Sequence, residues 1–314
     1  MSFLNLLRDQ LREGIARNPP EFREKHARWL LSQMRPEGGF ANRRGQADLY
    51  YTAFAVRSLS ALNALPSERV PEIAGFLRDL LRQPEAACMR QPKGAFADAV
   101  MAASWWDVLS VCEEAGGKLI SDEERSKARL LTETRLGKLR RPDGGWAKTD
   151  IDAASSVYHS FLATSVYLRM DAEPPEPERM AELLTRMAQP DGGFLENQYS
   201  KRPGTNGTAA GVMLSTLLGQ VDGIERHGSF LAKMQSSDGG FFATPSAPLS
   251  DLLSTYSGLF TLKLLGQADA RMSDAALRYA RGMEARDGGY VGFALETTAD
   301  CEYTFYGLGV EGLN

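Results

Sequence analysis

Three aspartates are the residues of this 314-residue chain that are best placed to act as acids. Asp152, Asp251 and Asp300 each come shortly before a stretch that is predicted to be an apolar helix. A carboxyl group in a dry cavity can keep its proton at neutral pH and deliver it to a substrate. Aspartate is also a strong N-cap, since its side chain accepts hydrogen bonds from the first free N–H groups of a helix. The sequence leaves both roles open.

Histidines and cysteines offer little further chemistry. His159 lies on a predicted apolar helix, where it is either a proton shuttle or a hydrogen-bonded structural residue. His26 and His227 fall on polar helices, and we expect them at the surface. The three cysteines form no Cys-x-x-Cys pair, which indicates a reduced, cytoplasmic setting. They are Cys88, Cys112 and Cys301.

Composition excludes two broad classes of function. The chain is 43% hydrophobic and carries a formal net charge of −4, so its charge gives no reason to expect nucleic acid as a partner. No apolar run approaches the roughly 20 residues that span a bilayer. Leu4, Leu7, Leu11 and Ile15 share one helical face. Residues 2–17 are therefore predicted to form an amphipathic helix docked on a single domain that covers 1–314.

An internal repeat is the main signal in the sequence. Its consensus is Gln/Arg-Pro/Ser-Asp/Glu-Gly-Gly-aromatic, and the copies begin 47 to 56 residues apart. Five clear copies cover 35–40, 141–146, 189–194, 236–241 and 285–290, and a weaker one covers 91–96.

Each repeat has the same physical interpretation. A polar amphipathic helix stops at Pro or Ser, and the Gly-Gly pair turns the chain sharply. A second, more apolar helix follows, as in 49–62, 156–168, 252–265 and 302–313. Because no single unit can bury its apolar helix, six helix pairs are predicted to close into one all-α ring with the apolar helices inside.

A second motif accompanies the repeat at the start of the inner helices. It reads Asp48-Leu49-Tyr50-Tyr51-Thr52, and related copies begin at Asp251 and Asp300. Together with the Gly-Gly-aromatic turns, this motif resembles the family of protein prenyltransferase β subunits and squalene and terpene cyclases. The resemblance covers nearly the whole chain and implies an (α/α)6 toroid whose central cavity binds an isoprenoid or another apolar molecule.

The resemblance also implies a zinc ion, held in the family by Asp-x-Cys in the fifth inner helix and a histidine in the sixth. Asp251 matches, but Leu253 and Tyr303 occupy the other two positions. Neither side chain is a good zinc ligand, so no metal cofactor is expected. Of the cations that would bind a diphosphate, only Lys201 and Arg202 remain near the expected position.

Protonating cyclases of this family carry an Asp-x-Asp-Asp motif. Asp150 and Asp152 match its first and third positions, whereas Ala153 replaces the last aspartate. The resemblance therefore makes Asp152 a candidate acid, with helix capping as the alternative.

Aromatic residues on the inner helices either pack against the outer ring or line an apolar funnel. The fourth inner helix is different, because residues 207–211 are small and leave room on one side. The predicted cavity residues are Tyr50, Tyr51, Trp105, Trp106, Tyr158, His159, Tyr256, Tyr303 and Tyr306.

Three functions are compatible with the sequence. The first is a prenyltransferase β-like protein that binds an isoprenoid chain and has lost the usual zinc and diphosphate residues, as a diverged transferase or without activity. The second is a terpene-cyclase-like enzyme that uses a cavity aspartate as acid. The third is a non-catalytic module whose rim binds a partner protein or peptide, which a cavity too narrow for a ligand would favour.

Overall fold

The computed structural model of the chain describes residues 3–82 and 94–314. Helix α1 spans Phe3–Ala16. The outer helices are α2 (Pro20–Ser32), α4 (Val70–Arg82), α6 (Asp122–Leu139), α8 (Pro177–Met187), α10 (Arg226–Ala232) and α12 (Ala270–Gly282). The inner helices are α3 (Leu49–Ala61), α5 (Ala99–Gly116), α7 (Val157–Arg169), α9 (Thr205–Leu217), α11 (Leu252–Leu264) and α13 (Cys301–Gly312).

The six inner helices form a closed ring. Each packs against the next along the chain, and α13 packs back against α3. The predicted all-α toroid of six helix pairs is thereby confirmed. Two short antiparallel ladders join β1 (Phe40–Ala41) to β2 (Ala47–Asp48) and β3 (Phe241–Phe242) to β4 (Ser250–Asp251). Among the helices of 3–82 and 94–314, none has the length and apolarity needed to span a bilayer.

Equivalent residues start the inner helices. Five of the six have a cap whose side chain accepts hydrogen bonds from backbone N–H groups in the first turn, and Gly204 begins the remaining helix, α9. These caps are Asp48, Asp98, Ser156, Asp251 and Asp300. The capping role that the sequence left open for two of the candidate acids is therefore present in the structure.

A second hydrogen bond ties five of the six turns to their inner helices. The N–H of the aromatic residue after Gly-Gly donates to a hydroxyl four residues beyond the cap, over 2.8 to 3.1 Å. The pairs are Phe40 with Thr52, Trp146 with Ser160, Phe194 with Thr208, Phe241 with Thr255 and Tyr290 with Thr304. In the second repeat the equivalent position is Ala102, which has no hydroxyl.

The first glycine of each of the five Gly-Gly turns packs against the next outer helix. Gly239 has φ +95°, and a Cβ there would lie 2.2 Å from the carbonyl oxygen of Ala275 on α12. Gly288 makes the equivalent contact with Lys25 and Trp29 on α2, so the last turn closes the ring on the first repeat. The close approach of two backbones leaves no space for a side chain.

Two histidines of the outer helices, His26 and His227, also contact the Gly-Gly turns. Both are buried, so the prediction that they lie at the surface is wrong. His26 is fully buried and 3.0 Å from Glu284 Oε1, and its Nδ1 accepts the N–H of Gly289 at 3.1 Å. His227 is 4% exposed, lies against the carbonyl oxygen of Gly192 and stacks on Phe194. Imidazole suits this position because it buries apolar ring surface while hydrogen bonding to the turn.

Helix α1 lies across the carboxyl ends of α3 and α13. Leu11 and Ile15 of α1 are buried, and Arg12 donates to Ser60 on α3. Gly14 approaches the backbone of Gly312 so closely that a Cβ would lie 1.7 Å from its oxygen. The helix is thus packed tightly against one end of the ring.

Replacing Gly239 by alanine is expected to lower the free energy of unfolding by more than about 2 kcal/mol, because positive φ alone costs about 1–2 kcal/mol and the Ala275 carbonyl blocks the new methyl group. The measurement is urea denaturation followed by circular dichroism. Gly75→Ala is the control: it lies in α4 with open space around it and should add about 0.5–1 kcal/mol. Equal effects of the two variants would contradict the backbone contact.

Acid is expected to weaken the ring through His26. Burial lowers the pKa of the His26 imidazole from 6.5 to about 4. Because the pKa of His26 is lower in the folded than in the unfolded chain, the contribution of neutral His26 to the free energy of unfolding is fully present above pH 6.5. This contribution is lost as the pH falls toward 4. That loss is about 3 kcal/mol. Denaturant titrations from pH 7.5 to 4 should show a smaller decline for His26→Asn than for the wild type, and parallel curves would contradict this prediction.

Candidate functional site

A central cavity of about 1090 Å³ lies inside the ring of inner helices. Because these helices start at equivalent caps, the number of residues after the cap gives the depth of a side chain, at 1.5 Å per residue. Near the amino ends of the helices, the wall is formed by the residues two positions after the cap. They are Tyr50, Tyr158, Asn206 and Leu253.

The middle of the cavity is aromatic. Tyr256 lies with its ring centroid 5.7 Å from that of Phe305 and 5.8 Å from that of Tyr306. Trp106 contributes its ring while its Nε1–H donates to Thr132. The aromatic wall residues at this depth are Phe54, Trp106, Phe161, Tyr256, Phe305 and Tyr306. Aromatic faces provide apolar contact and stabilise positive charge.

Small residues of α9 form one side of the wall. Ala209 and Ala210 line the cavity. Gly211 lies against the ring of Phe194, where a Cβ would be 2.6 Å from ring atoms. The small residues of α9 thus leave room on this side of the cavity, and Gly211 makes space for the Phe194 ring.

Charged residues begin nine positions after the cap. Arg57 Nη1 donates to Asp107 Oδ2 at 3.2 Å, and Arg169 makes an ion pair with the other carboxylate oxygen. The guanidinium of Arg57 lies 4.0 Å from the ring centroid of Phe305. One carboxylate therefore joins two guanidinium groups inside an otherwise aromatic cavity.

Ion pairs also surround the carboxyl ends of the inner helices. Arg125 donates to both carboxylate oxygens of Glu113, and Arg8 of α1 pairs with Glu114. Leu11 of α1 lies beside them in the cavity wall. Helix α1 thus contributes one side of this end of the cavity.

A half-buried carboxyl group lies at the opposite end. Glu196 follows the Gly192-Gly193 turn and lines the cavity, as Tyr158 does. The hydroxyl of Ser156 donates to Glu196, and the same hydroxyl lies 2.9 Å from Nδ1 of His159. Burial raises the pKa of the Glu196 carboxyl, because desolvation disfavours its charged form.

Glu302 and Asp300 lie near the same end. Tyr50 donates its hydroxyl proton to Glu302 at 2.7 Å, and burial raises the pKa of Glu302. Asp300 accepts from Arg43 Nε at 2.7 Å, and burial raises its pKa as well. Arg43 also pairs with Glu296. Asp300 is thus occupied by an ion pair and by capping.

The nine aromatic and histidine positions predicted for the cavity divide into two groups. Those that line the wall are Tyr50, Trp106, Tyr158, Tyr256 and Tyr306. Trp105 instead faces α4 and donates to the Leu77 carbonyl at 3.2 Å, since consecutive residues of a helix point about 100° apart. Those outside the wall are Tyr51, Trp105, His159 and Tyr303.

Asp152 has no position in the cavity. It is an exposed loop residue that accepts hydrogen bonds from the N–H and hydroxyl of Thr149. The hydroxyl of Thr149 holds the pKa of this carboxyl below its ordinary value. An acid catalyst is better served by the opposite environment, a dry cavity that raises the pKa of its carboxyl group. Asp251 is half-buried, and Ser254 donates to both of its carboxylate oxygens.

The residues that were weighed for zinc and diphosphate do not fit those groups. In the part of the chain that the structure describes, no three His, Cys, Asp or Glu side chains meet in an arrangement suited to a metal ion. Lys201 and Arg202 are exposed outside the cavity wall. Cys112 and Cys301 are buried, and Cys88 lies outside the described residues.

Three charged residues of the cavity wall, Arg57, Asp107 and Glu196, were not among the residues predicted from the sequence. Arg57 and Asp107 are isolated charges in apolar helices, each nine residues after an aspartate cap, and this shared spacing was the available signal. Glu196 lies in a loop two residues beyond Phe194, where nothing in the sequence distinguishes it from solvated acids.

Comparison with known proteins supports the fold. A family model for the prenyltransferase alpha-alpha toroid domain matches residues 3–103 and 135–311. The type II terpene cyclase MstE from Scytonema, without ligand, is similar with a TM-score of 0.62 and 15% identity over 98% of both chains. A comparison with curated protein sequences gave no match.

Two further solved structures have the same architecture. A variant of MstE in complex with geranylgeranyl dihydroxybenzoate as substrate has a TM-score of 0.61 and 16% identity, over 99% of this chain and 98% of that one. A glycosidase variant in complex with glucose has a TM-score of 0.57 and 13% identity, over 100% and 97% of the two chains. At these identities the likeness concerns the fold alone.

Proposed function

Because the chain belongs to the prenyltransferase alpha-alpha toroid domain family, we propose that its central cavity binds a linear isoprenoid chain. The observation that carries this proposal is the wall of aromatic faces around about 1090 Å³. That volume is at the upper end for small-molecule sites, which are typically about 300–1,000 Å³ and mostly apolar. The substrate complex of the similar cyclase MstE supports the same class of ligand.

The other two functions have less support. Prenyl transfer lacks its zinc ligands, because Leu253 and Tyr303 occupy two of the three positions. A module that only binds proteins at its rim has no use for a large internal cavity lined by aromatic residues. The described structure therefore favours a ligand inside the ring over a partner protein at its rim.

Filling the cavity should abolish binding of the chain. Ala209→Trp places a large side chain in the cavity that Ala209 lines, and we expect the Kd for geranylgeraniol to rise by at least about tenfold. The measurement is isothermal titration calorimetry on variants whose circular dichroism spectra match that of the wild type. Met213→Leu, a substitution of similar volume in the same wall, should bind nearly as well as the wild type. Unchanged affinity in Ala209→Trp would mean that the chain binds elsewhere.

Glu196 supports a second candidate, protonation-initiated cyclisation. Its carboxyl proton would pass to a terminal alkene, whose π electrons form the new C–H bond and leave a tertiary cation on the adjacent carbon. A neighbouring alkene then attacks the cation and closes a ring, and loss of a proton from carbon gives an isomer of the substrate. The aromatic faces of Tyr256, Phe305 and Tyr306 are suited to stabilise the intermediate charge.

The contacts of Glu196 suit this role better than those of Asp152. Burial keeps the Glu196 carboxyl protonated to higher pH than an ordinary glutamate. Ser156 lies between Glu196 and His159, so one hydroxyl can accept a proton from the imidazole and pass another to the carboxylate. The network provides a route for restoring the acid after each turnover.

Glu196→Gln is expected to abolish isomerisation of geranylgeraniol or geranylgeranoic acid while leaving binding of the chain intact, because glutamine keeps the shape but cannot donate a proton. Products are measured by mass spectrometry. In heavy water the wild-type product should gain one deuterium. Activity should fall as the pH rises through the raised pKa of Glu196.

Asp152→Asn provides the matched control, since Asp152 is an exposed carboxylate outside the cavity. This variant should turn over substrate like the wild type. Full activity in Glu196→Gln would reject Glu196 as the acid, and loss of activity in Asp152→Asn would restore the motif suggested by the sequence. If the wild type and both variants bind the isoprenoid chain but none converts it, cyclisation is rejected and binding of the chain remains the proposed function.

A further inference from the structure

We infer that Arg57, Asp107 and Arg169 form a subsite for a singly charged acidic head, such as a carboxylate, on the isoprenoid ligand. This inference rests on the proposed binding of an isoprenoid chain in the cavity and specifies the ligand further. The subsite lies toward the carboxyl ends of the inner helices, away from Glu196 and from the loop that holds Lys201 and Arg202.

Arg57 has the geometry of a donor to a ligand. Its Nη1 is held by Asp107, and its planar group packs against the neighbouring rings of Phe54 and Phe305, at 4.8 and 4.0 Å from their centroids. The side chain lines the cavity and is 28% exposed, whereas its Nε, unpartnered among the described residues, is buried, so the Nη groups are the donors that a ligand would meet. A guanidinium fixed in this way loses little conformational freedom when it binds a planar carboxylate.

The number of charges identifies the class of head group. Asp107 is shared by Arg57 and Arg169, so these three residues carry one net positive charge. The other cavity arginines, Arg8 and Arg125, are each paired with their own glutamate. Asp171 and Glu196 also line the cavity, so the wall as a whole has no excess of positive charge. The single positive charge of the Arg57, Asp107 and Arg169 group suits a monoanion, whereas a diphosphate needs several cations.

The positions of these groups also orient the ligand. Arg57 lies seven residues beyond Tyr50 on α3, which places it about 10 Å deeper along the cavity. A carbocation near the guanidinium would be repelled, whereas the aromatic middle would stabilise it. The head therefore binds at the Arg57 end, and the far alkenes of the chain extend past the aromatic rings toward Glu196.

Binding of three matched C20 probes tests the subsite. Geranylgeranoic acid has a carboxylate head, geranylgeraniol is uncharged, and geranylgeranyl diphosphate is multiply charged. We expect the wild type to bind the acid at least about tenfold tighter than the alcohol, measured by calorimetry. In Arg57→Gln this difference should disappear while affinity for the alcohol stays the same, because the charge that binds the carboxylate is removed while Asp107 keeps its ion pair with Arg169.

Two further variants make the test decisive. Asp107→Asn adds one net positive charge and should shift preference toward the diphosphate. Arg129→Gln removes an arginine from an exposed ion pair on α6 and should change none of the affinities. Binding of the alcohol with no preference for the acid would overturn the subsite and leave the cavity proposal intact, whereas failure of all three probes to bind would overturn the cavity proposal itself.

Discussion

The hydrogen bond from each turn to its inner helix is the constraint on which the rest of the site depends. The aromatic N–H after Gly-Gly donates to a hydroxyl four residues beyond the helix cap, so the turn cannot slide along the helix it precedes. Five repeats use this bond, and it gives their inner helices a common starting level. Residues at equal distances from their caps therefore meet at equal depths in the cavity.

Equal distances from the caps explain how the cavity contains both aromatic and charged zones. Arg57 and Asp107 meet because each lies nine residues after an aspartate cap on neighbouring helices, and α5 keeps this level through its cap and its packing against α3, although its own turn lacks the hydroxyl bond. A buried charge is costly unless it is paired and hydrogen-bonded, and a partner at the same depth meets that requirement. Other polar groups of the wall also have a partner nearby in space, as the Tyr50 hydroxyl has in the Glu302 carboxylate. The aromatic middle can then remain free of charge from the amino ends of the helices to the level of Arg57.

The sequence predicts the fold well and the site only in part, for a physical reason. Gly-Gly turns, apolar periodicity and caps are local patterns that repeat, so helices such as α3 and α11 can be placed within about two residues. The rotation of each inner helix is not local: it decides that Trp106 faces the cavity while Trp105 faces α4. The burial of Glu196 depends on a neighbouring repeat, which no local pattern encodes.

The same reasoning explains why the aspartates that are most prominent in the sequence are not the best catalytic candidates in the structure. Asp251 and Asp300 stand where a helix needs a cap, and their oxygens already accept hydrogen bonds from their own helices or from Arg43. Burial raises the pKa of both carboxyl groups, but neither side chain lines the cavity, so neither is placed to protonate a ligand there. Glu196 accepts bonds from Ser156 and the start of α7, faces the apolar cavity, and connects through Ser156 to an imidazole. In this ring, structural carboxylates are found at the caps, whereas the proton donor that we propose, Glu196, comes from the loop before α9 and reaches the cavity wall.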